Sequence, residues 1–257
     1  MVEPLAAPPC VVIVCEDSDL LASHVQAHLT AQGDPVVKIR PGILGSLAIR
    51  LHDEHFWVAG QRVGGILFRS HPDATFSADF QPADRAFCDA EVRAVWLAAM
   101  HLDSVCAINR YDAAAWFEGA YWPVWRRRLI ARGIPVSSFD CGESGAGEWW
   151  YPYRSDQPQP PPGPTARRML GASVSSASPA QRTLAVNGEI LAGDGPAGVV
   201  AAIEALAESG TRLVEVITDR AERVLAVDVQ PLIADPALAE LASKRLGAIY
   251  HAHLHRW

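Results

Sequence analysis

Lysine is almost missing from this chain. Lys38 and Lys244 are its only lysines, and arginine supplies the rest of the 22 basic side chains. Against 29 acidic residues they leave a formal net charge of −7 and an isoelectric point near 5.7. There is no basic field to draw a nucleic-acid backbone by counterion release, so nucleic acid is not expected as a partner. Cysteine is sparse too: Cys10, Cys15, Cys88, Cys106 and Cys141 form an odd, scattered set without CxxC spacing, which predicts reduced thiols. No apolar run approaches the ~18 residues needed to cross a bilayer, so no membrane association is expected. Met1–Pro9 lacks the basic flank of a signal peptide, and Val11–Cys15 is too brief for its apolar core. Together these absences predict a cytoplasmic protein. Walker and G-x-S-x-G motifs are absent, as are internal repeats.

What is present is enough to build a core. Hydrophobic residues make up 49% of 257 residues, sufficient to fold without metal or disulfide help. The continuous apolar run Val11-Val12-Ile13-Val14-Cys15 reads as a buried parallel strand, with Glu16-Asp17-Ser18-Asp19 behind it as a helix cap. Leu20, Leu21, Val25, His28 and Leu29 recur at helical spacing until Gly33, and Val36–Ile39 is the next strand, giving a βαβ opening. A hairpin about Ala59-Gly60, a strand Gly65–Phe68, a helix Ala83–Leu102 and a short strand Val105–Asn109 follow. Tyr111–Arg132 reads as helical, with Pro123 starting or kinking its second half.

From Cys141 to Pro164 the composition changes. A Gly-rich stretch, Gly142–Gly147, precedes Trp149, Trp150, Tyr151 and Tyr153, and then a proline run that favours extended polyproline and cannot donate to a sheet ladder. This predicts a linker at 141–164 between an α/β domain at 1–140 and a smaller α+β part at 165–257. In the latter, Met169–Val174 and Thr183–Val186 are short strands, Gly195–Glu208 is a helix, and Leu213–Ile217 pairs with Val224–Val229 around Asp219-Arg220-Ala221-Glu222. A helix from Pro236 closes the chain.

Several of these stretches, in this order, resemble ATP-grasp proteins, nearest the graspetide-type branch that modifies ribosomal peptides and the glutamate-ligase-like branch. They are Leu67-Phe68-Arg69-Ser70-His71-Pro72, Phe87-Cys88-Asp89-Ala90-Glu91, Cys106-Ala107-Ile108-Asn109 and, most clearly, Leu129-Ile130-Ala131-Arg132-Gly133-Ile134-Pro135-Val136. Arg167-Arg168-Met169-Leu170-Gly171-Ala172 is similar to the family's arginine-bearing strand after the lid. Leu213–Ile217 and Val224–Pro231 are similar to its two strands that present metal-binding acids. The resemblance implies a Rossmann-like pre-ATP-grasp βαβ domain followed by a reduced ATP-grasp-like α+β part. It also implies ligand contacts at Arg69, Asn109, Arg167 and Arg168, and a metal position at Asp228 and Gln230, where the family usually carries Glu-x-Asn.

The middle departs from the pattern. A four-stranded lid needs roughly 40 residues, and about 30 separate Pro135 from Arg167, several of them proline. No lysine lies between Lys38 and Lys244, although the family holds ATP phosphates with lysines; Trp122 and its neighbours stand where one is common. Two function classes follow. In the first, the chain is a degenerate homologue without a cofactor, binding a peptide or partner protein in a peptide-modifying or natural-product pathway. In the second it is a minimal carboxylate–amine ligase with ATP and Mg²⁺, arginines replacing lysines. A third reading is a homodimeric scaffold joined through Trp149, Trp150, Tyr151 and Tyr153.

The remaining candidates have bland readings. Gly142–Gly147 lacks the Lys and helix of a phosphate cradle and reads as a loop. Arg126-Arg127-Arg128 reads as a solvated helix face. Of His251, His253 and His255 only the first and last share a helix face, with no acid or Cys near them in sequence, so they read as exposed terminal histidines.

Overall fold

The computed structural model describes residues 8–69, 81–110, 121–136 and 181–256. They fall into two compact units, 8–69, 81–110 and 232–256 in one and 121–136 and 181–231 in the other. The last helix therefore joins the first unit, where the linear division by composition had put it with the C-terminal part.

In the first unit the strands are β1 (Cys10–Val14), β2 (Val36–Ile39), β3 (Ile49–His52), β4 (His55–Val58), β5 (Gln61–Phe68) and β6 (Cys106–Ile108). The helices α1 (Leu20–Ala31) and α2 (Pro82–Met100) and a 3₁₀ turn (Pro41–Ser46) connect them. β1 pairs in parallel with β2 on one side and β5 on the other. The outer edge of β5 is shared: Gln61–Val63 pairs antiparallel with β4, and Gly65–Leu67 pairs parallel with β6. The mainly parallel sheet expected from the apolar runs is present, with the β3–β4 hairpin added antiparallel at the first half of β5.

Every residue of β1 is buried, as a parallel strand covered on both faces must be. On one face Trp96 of α2 meets Phe56 and Phe68 edge-on, at centroid distances of 4.9 and 5.4 Å. Gly65 and Leu67, alternating with Phe68, point to the opposite face. The chain's final helix, numbered last in order below and spanning Pro236–Leu254, packs there beside α1. A bulge permits its approach. Cys10 faces Val63 and Val11 faces Gly65, so Gly64 is the extra residue of β5 and both glycines turn to the same side. A Cβ on Gly64 would stand 2.5 Å from Leu254, and one on Gly65 2.6 Å from Tyr250. The Tyr250 hydroxyl, fully buried, donates to the Ile66 carbonyl at 2.7 Å.

The second unit contains α3 (Tyr121–Ala131), β7 (Gln181–Val186), β8 (Glu189–Ala192), α4 (Ala197–Glu208), β9 (Leu213–Thr218) and β10 (Val224–Asp228), after which α5 (Pro236–Leu254) returns to the first unit. Its strands form an antiparallel sheet ordered β10-β9-β7-β8. The Asn187-Gly188 turn, with φ of +52° and +85°, makes the β7–β8 hairpin its sequence predicts. α3 ends at Gly133 in the left-handed region, and the chain then runs along the sheet edge, where Pro135 accepts from Val224 N and Val136 bridges Val224 in parallel. The Gly-hydrophobic-Pro stretch thus leads from a helix to a sheet edge. At the β9–β10 turn, burial pushes the Asp219 carboxyl up, but hydrogen bonds from the Arg223 backbone and guanidinium outweigh it and hold the group below its usual range.

His251 and His255 are not simply exposed terminal histidines: both rings hydrogen-bond Asp34, at 2.8 and 2.9 Å, while His253 contacts the Ser104 carbonyl. The acid was invisible because it lies more than 200 residues away. The strand at Met169–Val174 and the linker at 141–164 lie outside the described residues, as do Trp149, Trp150, Tyr151, Tyr153, Arg167 and Arg168.

Replacing Gly65 by Ala drives a methyl into two fully buried neighbours, Tyr250 and Val11, so urea denaturation is expected to show a loss of about 1–3 kcal/mol. An unchanged midpoint would mean that α5 is not held against β5.

Candidate functional site

In the first unit the candidate site is the carboxyl edge of the parallel sheet. α1 leads from β1 to β2 on one side, while β5 and β6 lie on the other, so the point between β1 and β5 is a topological switch, where open α/β sheets bind ligands. Arg69 follows β5 there, its backbone N donating to Val14 O at 2.8 Å. Its side chain is 2% exposed, and Nε donates to Asp19 Oδ2 at 3.1 Å. Asp19 also caps α1, its Oδ1 accepting from Ala22 N at 2.7 Å. One carboxylate thus anchors both the helix start and the arginine.

Cys15 sits at the same edge, fully buried, and burial pushes its thiol up to about 11, too high for a reactive thiolate. Asn109, directly after β6, is buried with φ of +61°. Left-handed backbone in a buried non-glycine residue at a strand end is a conformation that functional sites often hold. Both first-unit residues singled out by resemblance therefore stand at carboxyl ends of parallel strands. Residues 70–80 and 111–120, which follow them in sequence, are outside the described residues.

In the second unit the register places Asp228 of β10 directly opposite Glu215 of β9. Cross-strand pairing puts such side chains on one face, roughly 5 Å apart at Cβ. Arg182 of β7 shares the face, diagonal to Glu215, at 3.6 Å from its Oε2. Asp228 Oδ1 accepts from the backbone N of Gln230 at 2.8 Å, closing a turn that holds the acid and the amide side chain two residues apart.

Burial raises the Glu215 carboxyl above its ordinary range. Arg182 pulls it down and the like charge of Asp228 pushes it further up. Desolvation wins because Glu215 is 14% exposed, whereas Arg182 is 51% exposed and its charge is screened by water. Asp228 and Gln230 were legible by resemblance. Glu215 lay in a stretch matched to the family but was not singled out, and the alternation along paired strands was the signal that could have found it. Arg182 carried no such signal.

No protein-family model matches the sequence, and no curated relative does. Solved structures do resemble the model. ATP-grasp ligase PsnB complexed with precursor peptide PsnA2 and AMPPNP matches with a TM-score of 0.64 at 15% identity, over 98% of this chain and 99% of that one. The macrocyclase MdnC bound with precursor peptide MdnA, from Microcystis aeruginosa MRC, gives 0.60 at 11% identity over 92% and 99%. A RiPP-associated ATP-grasp ligase from Chryseobacterium gregarium, in complex with ADP and a leader and core peptide, gives 0.56 at 7% over 92% and 96%. The chain has the ATP-grasp ligase fold. The likeness extends over nearly the whole length of each chain.

Two outcomes test the geometry. Arg69→Met leaves Asp19, 13% exposed, without its cation and should cost about 3 kcal/mol, the low end for breaking a buried pair, measured by denaturation at neutral pH. For Glu215, a raised folded-state value makes ionisation unfavourable to folding. The penalty is absent below the ordinary value of 4.5 and grows as pH rises through the interval above it. Glu215→Gln should therefore be more stable than the parent at pH 7, with the difference vanishing on acidification below that interval. Equal stability across the pH series would contradict the assigned burial.

Proposed function

We propose that this protein is an ATP-grasp homologue of peptide modification that binds a peptide or partner protein and has given up autonomous ATP chemistry. The observation that carries the reading is the end-to-end likeness to ligases captured with precursor peptides, in a chain with no lysine between Lys38 and Lys244. Without lysine the phosphates of a nucleotide lose the point-charge donors that such sites rely on. The short interval between Pro135 and Arg167 supports loss of most of the lid as well. In this reading Arg69, Asn109, Arg167 and Arg168 contact the ligand, and Trp149, Trp150, Tyr151 and Tyr153 form an aromatic interface of the kind that anchors peptides.

A second reading, a carboxylate–amine ligase, is favoured by one observation: Glu215 and Asp228 face each other with Gln230 beside them. These oxygen donors suit Mg²⁺, which would neutralise the phosphates of ATP. In such an enzyme the substrate carboxylate takes the terminal phosphoryl group of ATP, releasing ADP. An amine then displaces phosphate from the acyl-phosphate to form an amide. The arginines would hold the phosphates by their planar forks.

A thermal-shift assay separates the two. Millimolar Mg-ATP should leave the melting temperature unchanged, while a precursor peptide that the protein binds should raise it, since a ligand stabilises only what it binds. A shift of several degrees with Mg-ATP that disappears in Asp228→Ala would establish the ligase instead.

A further inference from the structure

The chain's final helix carries a second cluster of chemistry-bearing residues, within the first unit and independent of the ligase-fold sites. It begins at the end of α1. Gly33, at φ +84°, closes the helix with Gly33 N donating to Thr30 O and Asp34 N donating to Leu29 O. This turn fixes the backbone of Asp34, whose side chain is 2% exposed. α5 passes close to α1 at Gly247, where a Cβ would stand 2.2 Å from the His28 ring. One helical turn on, His251 Nδ1 lies 2.8 Å from Asp34 Oδ2, and a further turn brings His255 Nε2 to 2.9 Å from Oδ1. The two rings are 4.4 Å apart at their centroids, and one ligand atom from each of the three residues lies within 4.8 Å of the others.

The electrostatics ask for a cation. Among the described residues the only side chains hydrogen-bonded to the Asp34 carboxylate are these two imidazoles. A carboxylate so deeply buried is costly without a counter-charge. The C-terminal ends of α1 and α5 both lie at this point, and helix C-termini carry partial negative charge. We propose that Asp34, His251 and His255 form a binding site for a divalent transition metal of the zinc, cobalt and nickel class. Two imidazole nitrogens and one carboxylate suit these ions, whereas Mg²⁺ and Ca²⁺ prefer all-oxygen shells.

Bonds of about 2.0–2.1 Å in a tetrahedron put ligand atoms roughly 3.3 Å apart, so the observed contacts need to open by about half an ångström. His251 is 42% and His255 60% exposed, so the solvent side supplies the movement and the remaining coordination position. The bound ion would tie the C-terminus of α5 to the turn between α1 and β2, closing the first unit from the chain's far end.

The test uses the full chain, stripped with chelator and titrated with Co²⁺, followed by visible absorption and calorimetry, with Zn²⁺ as competitor. The expected result is one equivalent of Co²⁺ giving d–d bands without thiolate charge transfer, displaced by Zn²⁺, and a rise in melting temperature. His255→Gln and Asp34→Asn should each weaken binding by at least the roughly 10–100-fold that loss of a supporting group costs. His255 is exposed enough for its variant to fold, so it decides the matter if Asp34→Asn does not. No saturable binding, thiolate bands, or equal affinity in His255→Gln would show a metal-free hydrogen-bonded staple and overturn the proposal.

Discussion

The packing of α5 against the glycine pair of β5 is the constraint on which the first unit rests. Among the described residues of that unit, β5 alone pairs with three strands, β1, β4 and β6. Its inner face must accept Tyr250 and Leu254 from the end of the chain, and only residues without a Cβ leave them room. The bulge at Gly64 turns two consecutive positions to the same side, which an unbroken strand cannot do. The contact joins residues 184 apart in sequence. Its loop-closure entropy grows only slowly with that distance, so a long-range helix of this kind stabilises the unit once its apolar face is buried.

The same unit shows how one carboxylate can organise a sheet edge. Asp19 caps α1 and receives Arg69, and this links the start of the helix to the end of β5 across the switch point. The pair is shielded from water, so its geometry matters more than that of the exposed ion pairs elsewhere, such as Lys244 with Glu240. In the second unit the balance is reversed. Glu215 is buried more deeply than its cation, desolvation outweighs attraction, and the acid face is held in a costly state beside Asp228. A face where two acids are forced together is suited to a cation or to a proton. Two observations bear on the proposed function: the absence of lysine between Lys38 and Lys244 argues against nucleotide chemistry in this chain, and the acid pair argues for it.

Much of the fold could be read before any coordinates. The apolar run of β1, the cap at Asp19, the stop at Gly33 and the Asn187-Gly188 hairpin are local devices, each set by the conformations available to a few neighbouring residues. Arg69 and Asn109 were singled out by resemblance alone, and the structure places each directly after a strand of the parallel part of the sheet. The assignment of α5 to the C-terminal part failed because amphipathic spacing tells that a helix has a buried face and not which surface covers it.

Taken by itself, the sequence determined the kind and order of most elements, though not β3 or the full length of β5, because backbone preference and hydrophobic period act over a few residues. It also determined the scarcity of lysine, which limits the phosphate chemistry open to any fold the chain adopts. Only the tertiary structure decided which distant residues meet: Tyr250 with Gly65, Glu215 with Asp228 across a register, and Asp34 with His251 and His255. Such meetings depend on the bulge that admits a helix and on the pairing that aligns two strands. They arise from packing between elements, and no property of either residue alone carries them.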